Sequence, residues 1–118
     1  MKEALIELLK TLGYPVYQQG SYPKEEEYPE SFFTFWNYDS PETNYYDNAP
    51  RKCIWSFWIY FYSTDPALVN SVLEKARRLL KNNGWLSNNK GEDVASDYIT
   101  HTGRLIDVSY VEKYNKEV

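Results

Sequence analysis

The pattern of apolar and polar residues predicts two amphipathic helices separated by aromatic strands. Leucines recur at helical spacing over residues 2–12, which predicts a short helix that ends at Gly13. A second helical repeat starts after Asp65 and Pro66, residues that favour a helix cap and a first helical position, and it continues to Gly84. Its polar face carries mostly cations toward the end, which suits the negative pole of the helix dipole.

Two aromatic runs, residues 31–38 and 53–62, predict an antiparallel pair of strands. With a period of two, one face of the second run consists of Cys53, Trp55, Phe57, Ile59 and Phe61. The opposite face consists of Ile54, Ser56, Trp58, Tyr60 and Tyr62. Both faces are largely apolar or amphipathic. We therefore expect either a strand covered on both sides, or one covered by helices on one side and by another molecule on the other.

The segment between these runs, residues 39–50, contains Pro41 and Pro50 and is long for a hairpin connection. Loops of this length without structure of their own are often functional or disordered. We expect this exposed loop to be mobile in the isolated subunit and to be ordered by a partner, with Tyr45 and Tyr46 as anchors. A simple flexible connection is the alternative.

In the C-terminal third of the chain, the residue pattern predicts a short strand at Trp85 and Leu86, followed by a hairpin. In that hairpin, residues 94–99 pair with 104–111 across a turn at 100–103. The order of elements indicates a single α+β domain over residues 1–118, with a mainly antiparallel sheet and two helices packed on one side.

Composition narrows the possible partners. The net charge of −4 and pI near 5.0 argue against binding to a nucleic-acid backbone, which needs concentrated cations. Aromatic residues make up 18% of the chain, and tyrosine is the most frequent of them. Tyrosine suits protein interfaces, where its ring can be buried while its hydroxyl stays in contact with water. No apolar stretch approaches the length of a membrane span, and the acidic residues near Met1 do not fit a signal peptide.

The residues that commonly carry chemistry are sparse. His101 is the single histidine and Cys53 the single cysteine, and a thiol among aromatic rings is expected to be protonated and inert. Asp93, Asp97 and Asp107 are a possible acid/base set across the last hairpin, but exposed strand positions explain them equally well. The glycines stand singly, so no phosphate loop is predicted. We therefore expect no enzyme activity, no metal and no cofactor.

Two binding classes remain. In the first, Trp36, Trp58, Tyr60 and Tyr62 form an aromatic platform for a carbohydrate or peptide, and nearby acids orient its polar groups. In the second, the chain is a self-assembling structural protein. A small unit without a signal sequence favours the second class over a secreted sugar-binding module.

The chain also resembles a known family. The resemblance rests on the leucine helix and on a set of short motifs spread over most of the chain. These are Gly13-Tyr-Pro15, Tyr28-Pro-Glu-Ser-Phe-Phe-Thr-Phe-Trp-Asn37, the tyrosine-rich loop, Trp55-Ser-Phe57, Phe61-Tyr-Ser-Thr-Asp-Pro66 and Asp97-Tyr-Ile-Thr-His-Thr-Gly-Arg104. In these features the chain resembles the small tail-completion, or tail-terminator, proteins of phages and prophages of Gram-positive bacteria.

The resemblance implies an α+β protein that forms a homo-oligomeric ring, commonly hexameric, on the end of the tail tube. Such a ring stops tube polymerisation and joins tail to head, so the implied partners are the tail tube protein and a head-completion protein. The implied location is the bacterial cytoplasm during assembly and then the virion tail. No catalytic residues carry over. The expected contact regions are the 39–50 loop and the turn with His101 and Arg104, while Trp58 and Tyr60 are expected on the self-association surface.

Overall fold

The computed structural model describes residues 2–18, 31–43, 52–94 and 101–113, which form two helices and seven strands. The helices are α1 (Lys2–Lys10) and α2 (Pro66–Asn82). The strands are β1 (Val16–Gln18), β2 (Ser31–Asp39), β3 (Glu42–Thr43), β4 (Lys52–Ser63), β5 (Leu86–Ser87), β6 (Glu92–Val94) and β7 (Thr102–Lys113). All seven strands belong to one sheet.

Strand β4 lies at the centre of the sheet, with β2 and β7 as its antiparallel neighbours. On one side, β1 adds to β2 in parallel. On the other side, β5 and β6 both pair antiparallel with β7. The sheet is therefore mixed but mostly antiparallel, which confirms the α+β fold predicted from the sequence.

The helices cover one face of the sheet, as the amphipathic patterns predict. Leucines from α1 and the apolar stripe of α2 pack against the alternate residues of β2, β4 and β7 that point toward them. The buried cluster contains Leu5, Leu9, Phe33, Phe35, Phe57, Ile59, Phe61, Val69, Val72, Leu73, Ala76, Leu80, Trp85, Ile106 and Val108. This core leaves the opposite face of the sheet without a helix from the described part of the chain.

The start of α2 follows the predicted capping pattern. The Asp65 carboxylate accepts a hydrogen bond from the backbone N–H of Ala67 at 3.0 Å, and Pro66 opens the helix. The backbone N–H of Asp65 in turn donates to the buried Ser63 hydroxyl at 3.0 Å. Because Ser63 is the last residue of β4, this bond fixes the helix to the central strand.

The connection between the two aromatic strands differs from the predicted loop. Asp39 is the last residue of β2, and Glu42 of β3 pairs with Cys53 at the start of β4. The prediction of an unstructured loop is therefore wrong for Asp39, which belongs to β2, and for Glu42 and Thr43, which form β3. Residues 44–50 lie outside the described residues.

A bulge explains how β2 and β3 follow one edge of β4. The register of β2 shifts between Asn37 and Asp39. The Asn37 amide donates to the carbonyl oxygens of Asp39 and Ser56 at 3.0 and 2.9 Å, which satisfies acceptors that the bulge displaces from the ladder. The bend lets β3 continue the pairing beyond β2.

The last hairpin also differs from the prediction. Strand β7 begins at Thr102, and Val94 of β6 pairs with Gly103. The predicted turn at 100–103 is therefore wrong at its last two positions, whereas residues 95–100 lie outside the described residues. The physical reason is that β7 pairs with β4 up to Ser63 opposite Thr102, so ladder contacts override the local turn preference of Thr and Gly.

Candidate interface on the outer face of the sheet

The sheet face opposite the helices, here called the outer face, carries a continuous set of aromatic side chains. Strand alternation and the β2–β4 register place them there. Its aromatic members on these two strands are Phe32, Trp36, Tyr38, Trp58, Tyr60 and Tyr62. The predicted alternation of β4 is confirmed, because Phe57, Ile59 and Phe61 lie in the core on the other side.

The most exposed part of the outer face is built around Trp58. Trp36 lies directly opposite Trp58 on the neighbouring strand, and the Tyr38 ring stacks on Trp58 with a centroid separation of 4.7 Å. Trp36 is 46% exposed and Trp58 is 37% exposed. Two large indole rings on a rigid sheet thus remain accessible to another molecule.

The other part of the outer face is more tightly packed. The rings of Tyr60 and Tyr62 are almost parallel, with an interplanar angle of 3° and centroids 6.1 Å apart. Phe32 stacks on the Tyr62 ring at 5.3 Å, and the His101 ring meets Phe32 edge-on at 6.0 Å. These contacts form a row of rings from β4 and β2 to His101, the residue before β7.

Gly103 leaves space for the Tyr62 ring on the outer face. The two residues are opposite each other in the β4–β7 ladder, and a Cβ atom added at Gly103 would lie 2.5 Å from Tyr62 Cε1. The same added atom would lie 3.0 Å from a methyl carbon of Val94 on the other side. The absence of a side chain at Gly103 therefore lets the tyrosine ring lie flat across the strand.

We expect Gly103→Ala to lower the free energy of unfolding by about 1–3 kcal/mol, because the new methyl group displaces the Tyr62 ring. Urea denaturation measures this cost, and near-ultraviolet circular dichroism reports the altered tyrosine packing. Thr102→Ala, at the neighbouring exposed position, is the control and should change both quantities little. Equal stabilities for the two variants would contradict the proposed packing of Tyr62 over Gly103.

A polar cluster lies beside the exposed indoles. The Tyr38 hydroxyl donates to Asp107 Oδ1 at 2.7 Å, and Asn88 Nδ2 donates to the same oxygen at 3.1 Å. Asn88 Nδ2 also donates to Ser109 Oγ at 2.9 Å, and Ser109 Oγ lies 3.1 Å from Ser56 Oγ. Asp107 is opposite Trp58 in the ladder. The outer face thus combines aromatic rings with a carboxylate and an amide.

The environment disfavours ionisation of two tyrosines on this face. Partial burial raises the pKa of Tyr38, and its hydrogen bond to Asp107 raises it further. Partial burial also raises the pKa of Tyr60. Both hydroxyls are therefore neutral near pH 7, and Tyr38 acts there as a hydrogen-bond donor.

The structure brings together only some of the residues predicted as contacts. Trp58 and Tyr60 lie on the outer face, with His101 at its margin. Tyr45 and Tyr46 lie outside the described residues.

Arg104 belongs to the helix side of the sheet, opposite Phe61. Its guanidinium group donates to Asp93 Oδ1 at 2.7 Å and to the Gly91 carbonyl at 3.1 Å. These bonds hold Arg104 between β6 and β7 on the helix side of the sheet, and its expected role as a contact residue together with His101 stays a prediction.

The predicted acid/base set does not form from its described members. Asp93 lies opposite Arg104, whereas Asp107 lies three residues further along β7 and therefore projects to the other face. Asp97 lies outside the described residues. Cys53 is buried, and its thiol lies 3.5 Å from the Ser40 carbonyl oxygen.

Within residues 2–18, 31–43, 52–94 and 101–113, no three His, Cys, Asp or Glu side chains converge as metal ligands. Neither α1 nor α2 has the length and apolar content needed to span a membrane.

Sequence reasoning did not identify Tyr38 and Asn88 as part of this face. Tyr38 shares the face of Trp36 by alternation, but its contacts with Trp58 and Asp107 depend on the β2–β4 and β4–β7 registers, for which local periodicity carries no signal. Asn88 follows β5 and approaches Asp107 only through the β5–β7 pairing. The alternation of β7 does place Asp107 on the outer face once the register with β4 is known.

A scan against protein-family models matched no family, and a search of curated proteins returned no match.

Proposed function

We propose that the protein is a structural phage or prophage tail protein that forms a homo-oligomeric ring on the end of the tail tube. In this role it ends tube polymerisation and supports the joining of head and tail. The observation that carries the proposal is the outer face, where Trp36 and Trp58 are exposed on adjacent strands of the sheet. Contiguous exposed apolar surface of this kind marks contact sites in soluble proteins.

The outer face also has the composition of a protein interface. Tyrosine and tryptophan are enriched in interface cores because they bury a large area and lose little side-chain entropy. The Tyr38 and Trp58 rings stack on each other, which restricts their side-chain rotamers in the unbound subunit. Preorganised aromatic anchors lower the entropic cost of association.

A ring follows from head-to-tail contacts that close, whereas contacts that fail to close give filaments. The number six comes from the resemblance to tail-completion proteins. The proposed partners are further copies of the chain, the tail tube protein and a head-completion protein. Assembly takes place in the bacterial cytoplasm, and the ring then stays in the virion tail. The end of the tube acts as a template that raises the effective concentration of subunits.

The test is electron microscopy of tails assembled in a phage or lysogen that lacks this protein. We expect abnormally long tails or tails without heads, and we expect a plasmid-borne wild-type copy to restore joined virions. Normal, fully joined virions without the protein would overturn the proposal. The matched control is a plasmid encoding the chain with an early stop codon, which should not restore joining.

A second candidate function is supported by the polar cluster at Asp107. Carbohydrate sites commonly pair an aromatic platform with carboxylate and amide groups that orient hydroxyls. Here the Trp58 ring lies opposite Asp107, and Asn88 donates to the same carboxylate. The carboxylate already accepts two internal hydrogen bonds, however, which leaves fewer lone pairs for a sugar. We therefore rank carbohydrate or peptide binding second.

A further inference from the structure

The exposed side of α2 carries a row of cations. Lys75, Arg78 and Lys81 are all exposed and follow one another at intervals of three residues, so they lie along one side of the helix. Glu74 is the acid next to this row, with its Oε1 atom 3.3 Å from Arg78 Nε. We call Lys75, Arg78 and Lys81 the basic row. It is a local concentration of positive charge in a chain whose net charge is −4.

The outer face carries the opposite charge beside its exposed indoles. Asp107 accepts the Tyr38 hydrogen bond, and Asp39 follows Tyr38 in β2. Burial is the main cause of the raised pKa of Tyr38, and the negative charges of Asp107 and Asp39 raise it further. Among the described residues, neither carboxylate takes part in an ion pair. Within the described ranges, the acidic and aromatic groups thus form one surface to which no Lys or Arg side chain is ion-paired.

We propose that the basic row of one copy docks on the outer face of the next copy, with Arg78 against the exposed indoles and the lysines near Asp39 and Asp107. This inference rests on the proposed self-assembly and names the two surfaces that meet. A guanidinium group binds favourably over the face of a tryptophan ring, and carboxylates at the edge add charge attraction. Charge complementarity thus selects a second copy as the occupant.

The positions of the two surfaces in the fold determine the kind of assembly. The apolar stripe of α2 packs on the helix side of the sheet, so the basic row points away from the sheet. The outer face is on the opposite side. One copy can therefore use both surfaces at once, each with a different neighbour. Such contacts are heterologous, and they produce a ring or a filament rather than a closed dimer.

The contact is tested with two variants, each lacking one of the two surfaces, which are studied separately and as a mixture. The row variant carries Lys75→Glu, Arg78→Glu and Lys81→Glu, and the face variant carries Trp36→Ala and Trp58→Ala. Sedimentation analysis of wild type from about 1 µM to 1 mM should show concentration-dependent association. Each variant alone should lose at least about tenfold in affinity. Their mixture should form a one-to-one dimer, because one intact contact remains between unlike copies.

Matched controls separate the contact from general effects. Lys90→Glu also reverses an exposed charge, but away from α2, and should associate like wild type, unlike the single variant Arg78→Glu. Thermal unfolding checks that each variant is folded. If the face variant unfolds, Trp36→Ala alone replaces it, since Trp36 is the more exposed indole. Wild-type association should also weaken as salt is raised, because screening acts on the charge attraction.

The outcomes distinguish this inference from the proposed function. If the row variant associates like wild type, another surface mediates assembly; the inference is then overturned, and the tail phenotype still tests the function. If wild type and the mixture both stay monomeric at about 1 mM, the inference is also overturned. Normal virions without the protein would overturn the function even if the mixed dimer forms.

Discussion

Phe57→Ala is expected to lower the free energy of unfolding by about 3–5 kcal/mol, the typical cost of removing a buried aromatic side chain. Phe57 is fully buried at the centre of the core face of β4. Its ring meets those of Phe35 and Trp85 at centroid distances of 6.1 and 5.7 Å, so the substitution leaves a cavity between the sheet and the segment that follows α2. Urea denaturation monitored by tryptophan fluorescence measures the loss.

Tyr60, on the opposite face of β4, gives a control for Phe57→Ala. Tyr60→Ala removes an aromatic side chain from the same strand, but from the half-buried outer face. It should cost clearly less, because the site is open to water and can relax. Since small domains are stable by only about 5–15 kcal/mol, Phe57→Ala should leave the protein marginally folded. A loss below about 1 kcal/mol would contradict the described core.

Trp58→Ala is expected to weaken self-association by about 2 kcal/mol or more, as loss of a central aromatic anchor does in other interfaces. Trp58 stacks with Tyr38 and lies opposite Trp36 in the β2–β4 ladder, so its removal disrupts the most exposed part of the outer face. Sedimentation equilibrium measures the change in Kd, and it should correspond to a weakening of about 30-fold or more.

Trp55→Ala is the matched control, since it removes the same residue type from the other face of the same strand. Trp55 packs against the core and donates from Nε1 to Glu112 at 2.9 Å, so its loss should reduce stability and leave association largely unchanged. Trp58→Ala should show the reverse. Saturable binding to a glycan array that disappears with Trp58→Ala would instead favour the carbohydrate-binding candidate.

The elements of this fold that depend on local pattern were predicted correctly. The leucine repeat of α1, the Asp65–Pro66 start of α2 and the alternation of β4 each follow from periodicity or from capping chemistry within a few residues. Burial enforces these patterns, because a shift of one residue in β4 would turn Phe57 toward water.

The features that depend on contacts between distant residues were not predicted. The bulge in β2 depends on the Asn37 amide reaching Ser56 of β4. The early start of β7 depends on pairing with the end of β4, and the role of Arg104 depends on Asp93 in β6. Each involves a register between strands, and a single sequence carries no direct signal for register.

The outer face was predicted in part for the same reasons. Alternation placed Trp58 and Tyr60 together, but the contact between Tyr38 and Asp107 depends on the β2–β4 and β4–β7 registers together. That Gly103 lies opposite Tyr62 is likewise known only from the β4–β7 ladder.

The pairing of β7 with β4 along its whole length has a consequence during synthesis on the ribosome. The central strand β4 emerges after β2 and before α2, and β7, which covers the other edge of β4, emerges last of the described strands. Until then, an aromatic strand edge is open to pairing with other nascent chains. Translation products that stop before Thr102 therefore expose the unpaired edge of β4. We expect such fragments to aggregate unless chaperones bind them or proteases degrade them.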